Sequence, residues 1–121
     1  MKRLISVLVG FATFILFSAE GLGLPPCADT FATSVQQTRG WDNCSGNLHF
    51  ERGRFKGDKY VGEFQNGKGH GIGTYYWVYG DKYVGEFKNG IAHGKGIFTD
   101  ASGKVYEGLF ANGQYQHPKK P

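Results

Sequence analysis

Residues 60–87 read YVGEFQNGKGHGIGTYYWVYGDKYVGEF, and the stretch ends on the five letters with which it begins. YVGEF returns at Tyr83 as YVGEFKNG, and a third version, YEGLFANG, starts at Tyr106. A shift of 23 residues superposes Tyr60, Tyr83 and Tyr106, then Gly62, Gly85 and Gly108, then Phe64, Phe87 and Phe110. Asn66-Gly67, Asn89-Gly90 and Asn112-Gly113 fall together as well, and His70 falls on His93. Upstream, Gly46 to Gly53 has the spacing of Gly73 to Gly80, and four extra residues follow before the first full unit. A short fixed period of this kind marks an array of stacked units, none of which buries its apolar face alone.

Each unit reads as a β-hairpin. Tyr60, Gly62 and Phe64 alternate with Val61 and Glu63, the period of a strand. Asn-Gly supplies two residues that accept positive φ, as a tight reversal requires. The return strand from Gly71 to Trp77 places Gly71, Gly73, Tyr75 and Trp77 on one side and Ile72, Thr74 and Tyr76 on the other. Gly80-Asp81 then leads into the next unit. Glycine weakens a strand interior, so its recurrence needs a reason. We read the missing side chains as slots in which rings of adjacent strands lie flat, the ring burial offsetting the entropy of glycine. The aromatic face expected from this alternation carries Tyr60, Phe64, Tyr75, Trp77, Tyr83, Phe87, Phe98, Tyr106 and Phe110.

At this point the sequence resembles the MORN repeat family. Its pattern is met by Tyr60, Gly62, Glu63, Phe64, Gly67, His70, Gly71 and Gly73. It is met again by Tyr83, Gly85, Glu86, Phe87, Gly90, His93, Gly94 and Gly96. The third copy keeps Tyr106, Gly108, Phe110 and Gly113, has Leu109 in place of the Glu, and ends before a second strand. The segment LPPC…WDNCSG is similar to the N-terminal cap of small exported bacterial members. The resemblance implies an all-β fold, an elongated single-layer antiparallel sheet of successive hairpins. It implies a scaffold, oligomerisation or membrane-proximal adaptor role.

The remaining sequence divides around this array. Lys2 and Arg3 precede an apolar run broken at Ser6, Gly10 and Thr13, with small residues after it. Residues 1–23 read as a secretory signal, with an uncleaved inner-membrane anchor through residues 4–19 as the alternative. Leu24-Pro25-Pro26-Cys27 lacks the small residues of a lipidation site. Residues 24–45 form a cap, with Trp41 and Phe31 expected over the first hairpin. Residues 46–117 form the repeat domain: a partial unit at 46–59, then 60–82, 83–105 and 106–117. Residues 118–121 are a tail whose Pro118 and lysines guard an edge against pairing. In an exported chain Cys27 and Cys44 are expected to form one disulfide, worth about 3 kcal/mol in the chain-entropy model.

Losing Lys2, Arg3 and Glu20 with the signal takes the formal charge from +4 to +3. The lysines are spread along the repeats among acidic residues, so the chain lacks the basic face of a nucleic-acid binder. His70 and His93 invite a zinc reading, yet the third copy has Gln116 there with His117 one place off. Gly67 to Gly73 looks like a phosphate loop, but a strand follows it instead of a helix. Glu63 and Glu86 read as a surface ladder of charge. Asn43-Cys44-Ser45 formally matches a glycosylation acceptor and carries no information here. No nucleophile stands with a base and an orienting group, so we expect no enzyme, no cofactor and no metal. The first expectation is an envelope binding or scaffold module that takes a protein partner or its own copy. The second is a module for anionic phospholipid head groups, weakened by the low charge and by screening beyond about 8 Å.

Overall fold

The computed structural model describes residues 23–116. The signal expected over residues 1–23 (all but its last residue), its anchor alternative, His117 and the tail 118–121 lie outside the described residues. Eight strands form one open sheet in chain order. They are β1 Pro26–Ala32, β2 Cys44–His49, β3 Lys59–Gln65, β4 Lys68–Tyr76, β5 Lys82–Lys88, β6 Ile91–Thr99, β7 Val105–Ala111 and β8 Gln114–Gln116. The all-β reading holds, and every neighbouring pair from β2 to β8 is antiparallel.

Two boundaries differ from the reading above. The segment taken as an irregular cap contains β1, which pairs parallel with β2 through Phe31↔Asn47 and Ala32↔Leu48. No period betrays it, because only Cys27 and Ala32 of its seven residues are buried. A parallel neighbour requires a crossover; residues 33–43 supply it, and the Cys27–Cys44 disulfide, with Cα atoms 4.8 Å apart, ties β1 to β2. The third copy does not end before its second strand: β8 pairs with β7 through Phe110↔Tyr115 and Ala111↔Gln114.

The reversals are as the Asn-Gly pairs require. Asn66, Asn89 and Asn112 have φ of 52°, 50° and 52°, with Gly67, Gly90 and Gly113 at 78°, 83° and 82°. These two-residue turns match the right-handed twist of the strands they join.

Two rows cross the sheet side by side, and together they make the core. In the first, Gly46, Gly62, Gly73, Gly85, Gly96 and Gly108 are successive partners from β2 to β7. In the second, two residues away, Leu48, Tyr60, Tyr75, Tyr83, Phe98 and Tyr106 are successive partners. Tyr60 lies flat on the glycine row, where a Cβ on Gly73 would overlap its ring and one on Gly69 would come within 2.8 Å of Cζ. Tyr83 covers Gly96 in the same way. Each hydroxyl turns back to the backbone: Tyr60 donates to the Glu63 carbonyl (2.8 Å) and Tyr83 to that of Glu86 (2.9 Å). Burial of these rings pushes both phenol pKa values up, helped by the nearby charges of Glu63 and Glu86.

Edge-to-face contacts then carry the packing from unit to unit. Phe87 meets Tyr60 at 4.9 Å between centroids, and Phe110 meets Tyr83 at 4.9 Å. Trp41 closes the N-terminal end, at 4.8 Å from Phe64 and flat over Gly46. Phe31, expected beside it, is 56% exposed and stands edge-to-face with the His49 ring at 6.4 Å between centroids. On an edge strand its side chain falls outside the covered face. At the other end Tyr115 stands where earlier units have Gly69 and Ala92, and packs on Phe110 and Tyr106. Tyr106, outside the pairing of β7 with β8 among the described residues, is half-buried.

Candidate functional site

The polar residues of the repeat hold the backbone together. Between Gly62↔Gly73 and Phe64↔Gly69 the return strand carries extra residues, and Gly71 bulges with φ of 93°. Glu63 Oε1 fills the space where a Gly71 side chain would stand and accepts the Ile72 N–H (2.8 Å). Glu86 Oε1 does the same for Lys95 (2.7 Å) at the Gly94 bulge. The glutamates are therefore bulge acceptors, and the expected surface ladder of charge is corrected. The slots for Tyr60 are likewise Gly69 and Gly73, not Gly71 and Gly73, because the bulge shifts the alternation.

The histidines join one unit to the next. His70 Nδ1 accepts the Asn89 N–H (3.3 Å) and His93 Nδ1 that of Asn112 (3.4 Å). Beside each, Gly90 N–H donates to the Gly69 carbonyl (2.7 Å) and Gly113 N–H to that of Ala92 (2.9 Å). The cap repeats this motif with different residues. Asp42 accepts from Asn66 N–H (2.9 Å), and the Trp41 carbonyl accepts from Gly67 (2.7 Å). Among the described residues no three His, Cys, Asp or Glu side chains gather in a way that would hold a metal.

What remains on the aromatic face is a groove. Tyr60 and Tyr83 lean onto the glycine row, while Tyr75 packs toward Trp77 (4.6 Å) and Trp77 toward Phe98 (5.7 Å). Between them opens a cavity of about 370 Å³, with Tyr75, Trp77 and Phe98 on one side and Tyr83, Phe87 and Phe110 below. Ile91 and Ala92 line it too, and no charged side chain does. Of the nine expected aromatic residues, these six meet in the groove. Tyr60 and Phe64 line a smaller adjoining cavity of about 160 Å³ that also touches Tyr75 and Phe87. Tyr106 borders neither and contacts Phe98 at 6.0 Å.

The alternation did not reveal the end of the groove nearest the cap. There Phe50 and Phe55, 5.5 Å apart, face the same cavity. Phe55 belongs to a short 3-10 turn, Gly53–Phe55, inside the four-residue interruption of the period. Asp58, buried, closes the loop. Its Oδ2 accepts the Tyr75 hydroxyl (2.6 Å) and its Oδ1 the Val78 N–H (2.8 Å). Asp81 repeats the second bond, to Ala101 N–H (2.8 Å), but Phe98 stands where a tyrosine would repeat the first. Burial, then the Asp58 bond and charge, push the Tyr75 phenol far above its ordinary value. The signal for this end was the insertion itself: a break in an otherwise regular array.

With the hairpins, the glycine row and the histidine links in view, comparison with known families is decisive. A model of the MORN repeat matches residues 60–82 and 83–105. This is a MORN repeat protein. No curated protein matches the chain. MORN repeats are in general modules that bind proteins or membranes, and the groove above is an apolar recess on the aromatic face of this MORN sheet. No helix among the described residues is long and apolar enough to cross a membrane, and the disulfide is compatible with an exported protein.

Proposed function

We propose that this chain is a non-catalytic binding module of the cell envelope that receives an extended segment of a protein partner in its aromatic groove. The observation that carries the reading is the chemistry of the lining. The hydroxyls of Tyr75 and Tyr83 already donate within the protein. The surface offered to a ligand is therefore ring faces and aliphatic groups. Such a surface suits apolar side chains presented at intervals, and Tyr and Trp are the residues on which binding energy most often concentrates. Export through residues 1–23 belongs to the same reading.

A photo-crosslinking residue placed at Phe98, inside the groove, is expected to capture a partner in native envelopes. The same residue at Val84, on the opposite face, is the control. Crosslinks confined to Val84 would refute the groove as the docking site. Self-association is the case in which the captured partner is the chain itself. The anionic-lipid alternative is tested by vesicle flotation, with binding that follows lipid charge as its signature.

A further inference from the structure

The end of the groove nearest the cap differs chemically from the rest, and this inference rests on the groove being a ligand site. Phe50 and Phe55 form one wall; Tyr75 and Trp77 form another; all four face the same cavity. Behind Tyr75 lies Asp58, 4% exposed, whose carboxylate is held by two neutral donors, the Tyr75 hydroxyl and the Val78 N–H. A phenol that donates to a carboxylate gains electron density in its ring, and an electron-rich ring face attracts cations. No lysine or arginine lines the groove. Arg54, over the Phe55 ring at 5.1 Å, borders a neighbouring depression with Glu51 and Arg52, and Lys68 borders the smaller adjoining cavity.

The lining also selects the kind of cation. A primary ammonium brings three N–H donors that need acceptors, and burying them unpaired among rings costs more than the rings return. A quaternary ammonium has no N–H to satisfy and presents methyl groups to the ring faces. We propose that Phe50, Phe55, Tyr75 and Trp77, backed by Asp58, form a binding site for a quaternary ammonium group of the choline type. Neither the repeat pattern nor the shared glycine row accounts for Phe55 and for the Tyr75–Asp58 bond; a cation cage does. Among the described residues the other units lack both features, and the site occurs there once.

The test uses the full chain and a pair of isosteres. Choline and its neutral carbon analogue, 3,3-dimethylbutan-1-ol, are titrated separately and followed by calorimetry and by ring resonances in NMR. Choline is expected to bind about tenfold more tightly, the scale of a desolvated cation–π contact. Asp58→Asn and Tyr75→Phe are expected to weaken choline several-fold while leaving the alcohol unchanged, with circular dichroism checking the fold. Flotation on phosphatidylcholine vesicles against phosphatidylglycerol vesicles separates the two sources of the group. Retention by the former assigns a lipid head group, and binding of soluble choline alone assigns a free solute. Equal affinity for choline and the alcohol, or saturation by neither, overturns the proposal. The isostere comparison needs no variant, and its failure would leave the Phe98 crosslinking result standing, so the two readings fall separately.

Discussion

Tyr83 has 1% of its surface exposed, and its position explains why glycine recurs on this sheet. Its ring occupies the space over Gly96 that any side chain would need. Removing the hydroxyl alone, as in Tyr83→Phe, keeps the ring and loses its bond to the Glu86 carbonyl, with an expected cost of about 1 kcal/mol by chemical denaturation. The raised phenol pKa values fix the sign of an alkaline dependence. Burial, the first cause, disfavours the phenolate of Tyr60, Tyr75 and Tyr83 in the folded state. Their contribution is whole below the ordinary tyrosine value near 10 and is lost as pH rises above it. Absorbance of ionised tyrosine is therefore expected to include a component, from these three rings, that appears only as the sheet unfolds. A single smooth titration of all seven tyrosines in a folded protein would contradict it. At this scale the repeated Tyr, Gly and Phe letters were legible, because alternation and period fix which residues share a face. Gly69 and the role of Glu63 were not, since a bulge shifts alternation by an amount that no period encodes.

Among elements, the links that matter run between hairpins. The His70 and His93 rings each accept a turn N–H of the following unit. Replacing both by Ala is expected to cost about 1–2 kcal/mol in total. Faster hydrogen exchange at Asn89 and Asn112, with little change at Asn66, would identify the cause, since Asp42 serves Asn66. The β1 strand is held differently, by the disulfide to Cys44 and by its parallel pairing. Reduction is expected to destabilise the protein by about 3 kcal/mol and to loosen β1 and Trp41 before β5 and β6. β1 itself could not have been read from PCADTFA, where pairing and a covalent tie, not apolar alternation, make the strand. β8 was missed for a related reason: three residues carry no period.

At the scale of the molecule, the sheet is a stack in which each unit covers the rings of the one before. Phe110 of the third copy covers Tyr83 of the second. Truncation after residue 104 is expected to lower the melting temperature by many degrees and to expose Tyr83, not merely to shorten an independent array. An unchanged melting temperature would show that the units stand alone. The groove belongs to this scale as well. Its floor and one wall were legible as an aromatic face, but its end by the cap arises from Phe50, from the Tyr75–Asp58 bond that the next unit lacks, and from Phe55, which lies in the insertion outside the repeat. The break in the array was visible as four extra residues; what they build depends on a loop packing against a neighbouring unit.

The account depends on rings lying in the space that glycine leaves, and one comparison tests it most directly. Gly96→Ala places a methyl group where the Tyr83 ring now lies, whereas Gly40→Ala meets nothing within 4 Å. Thermal and chemical unfolding of the two variants is expected to show a loss of about 1–3 kcal/mol or more for Gly96→Ala and a change within about 0.5 kcal/mol for Gly40→Ala. Equal stabilities for the two would contradict the account.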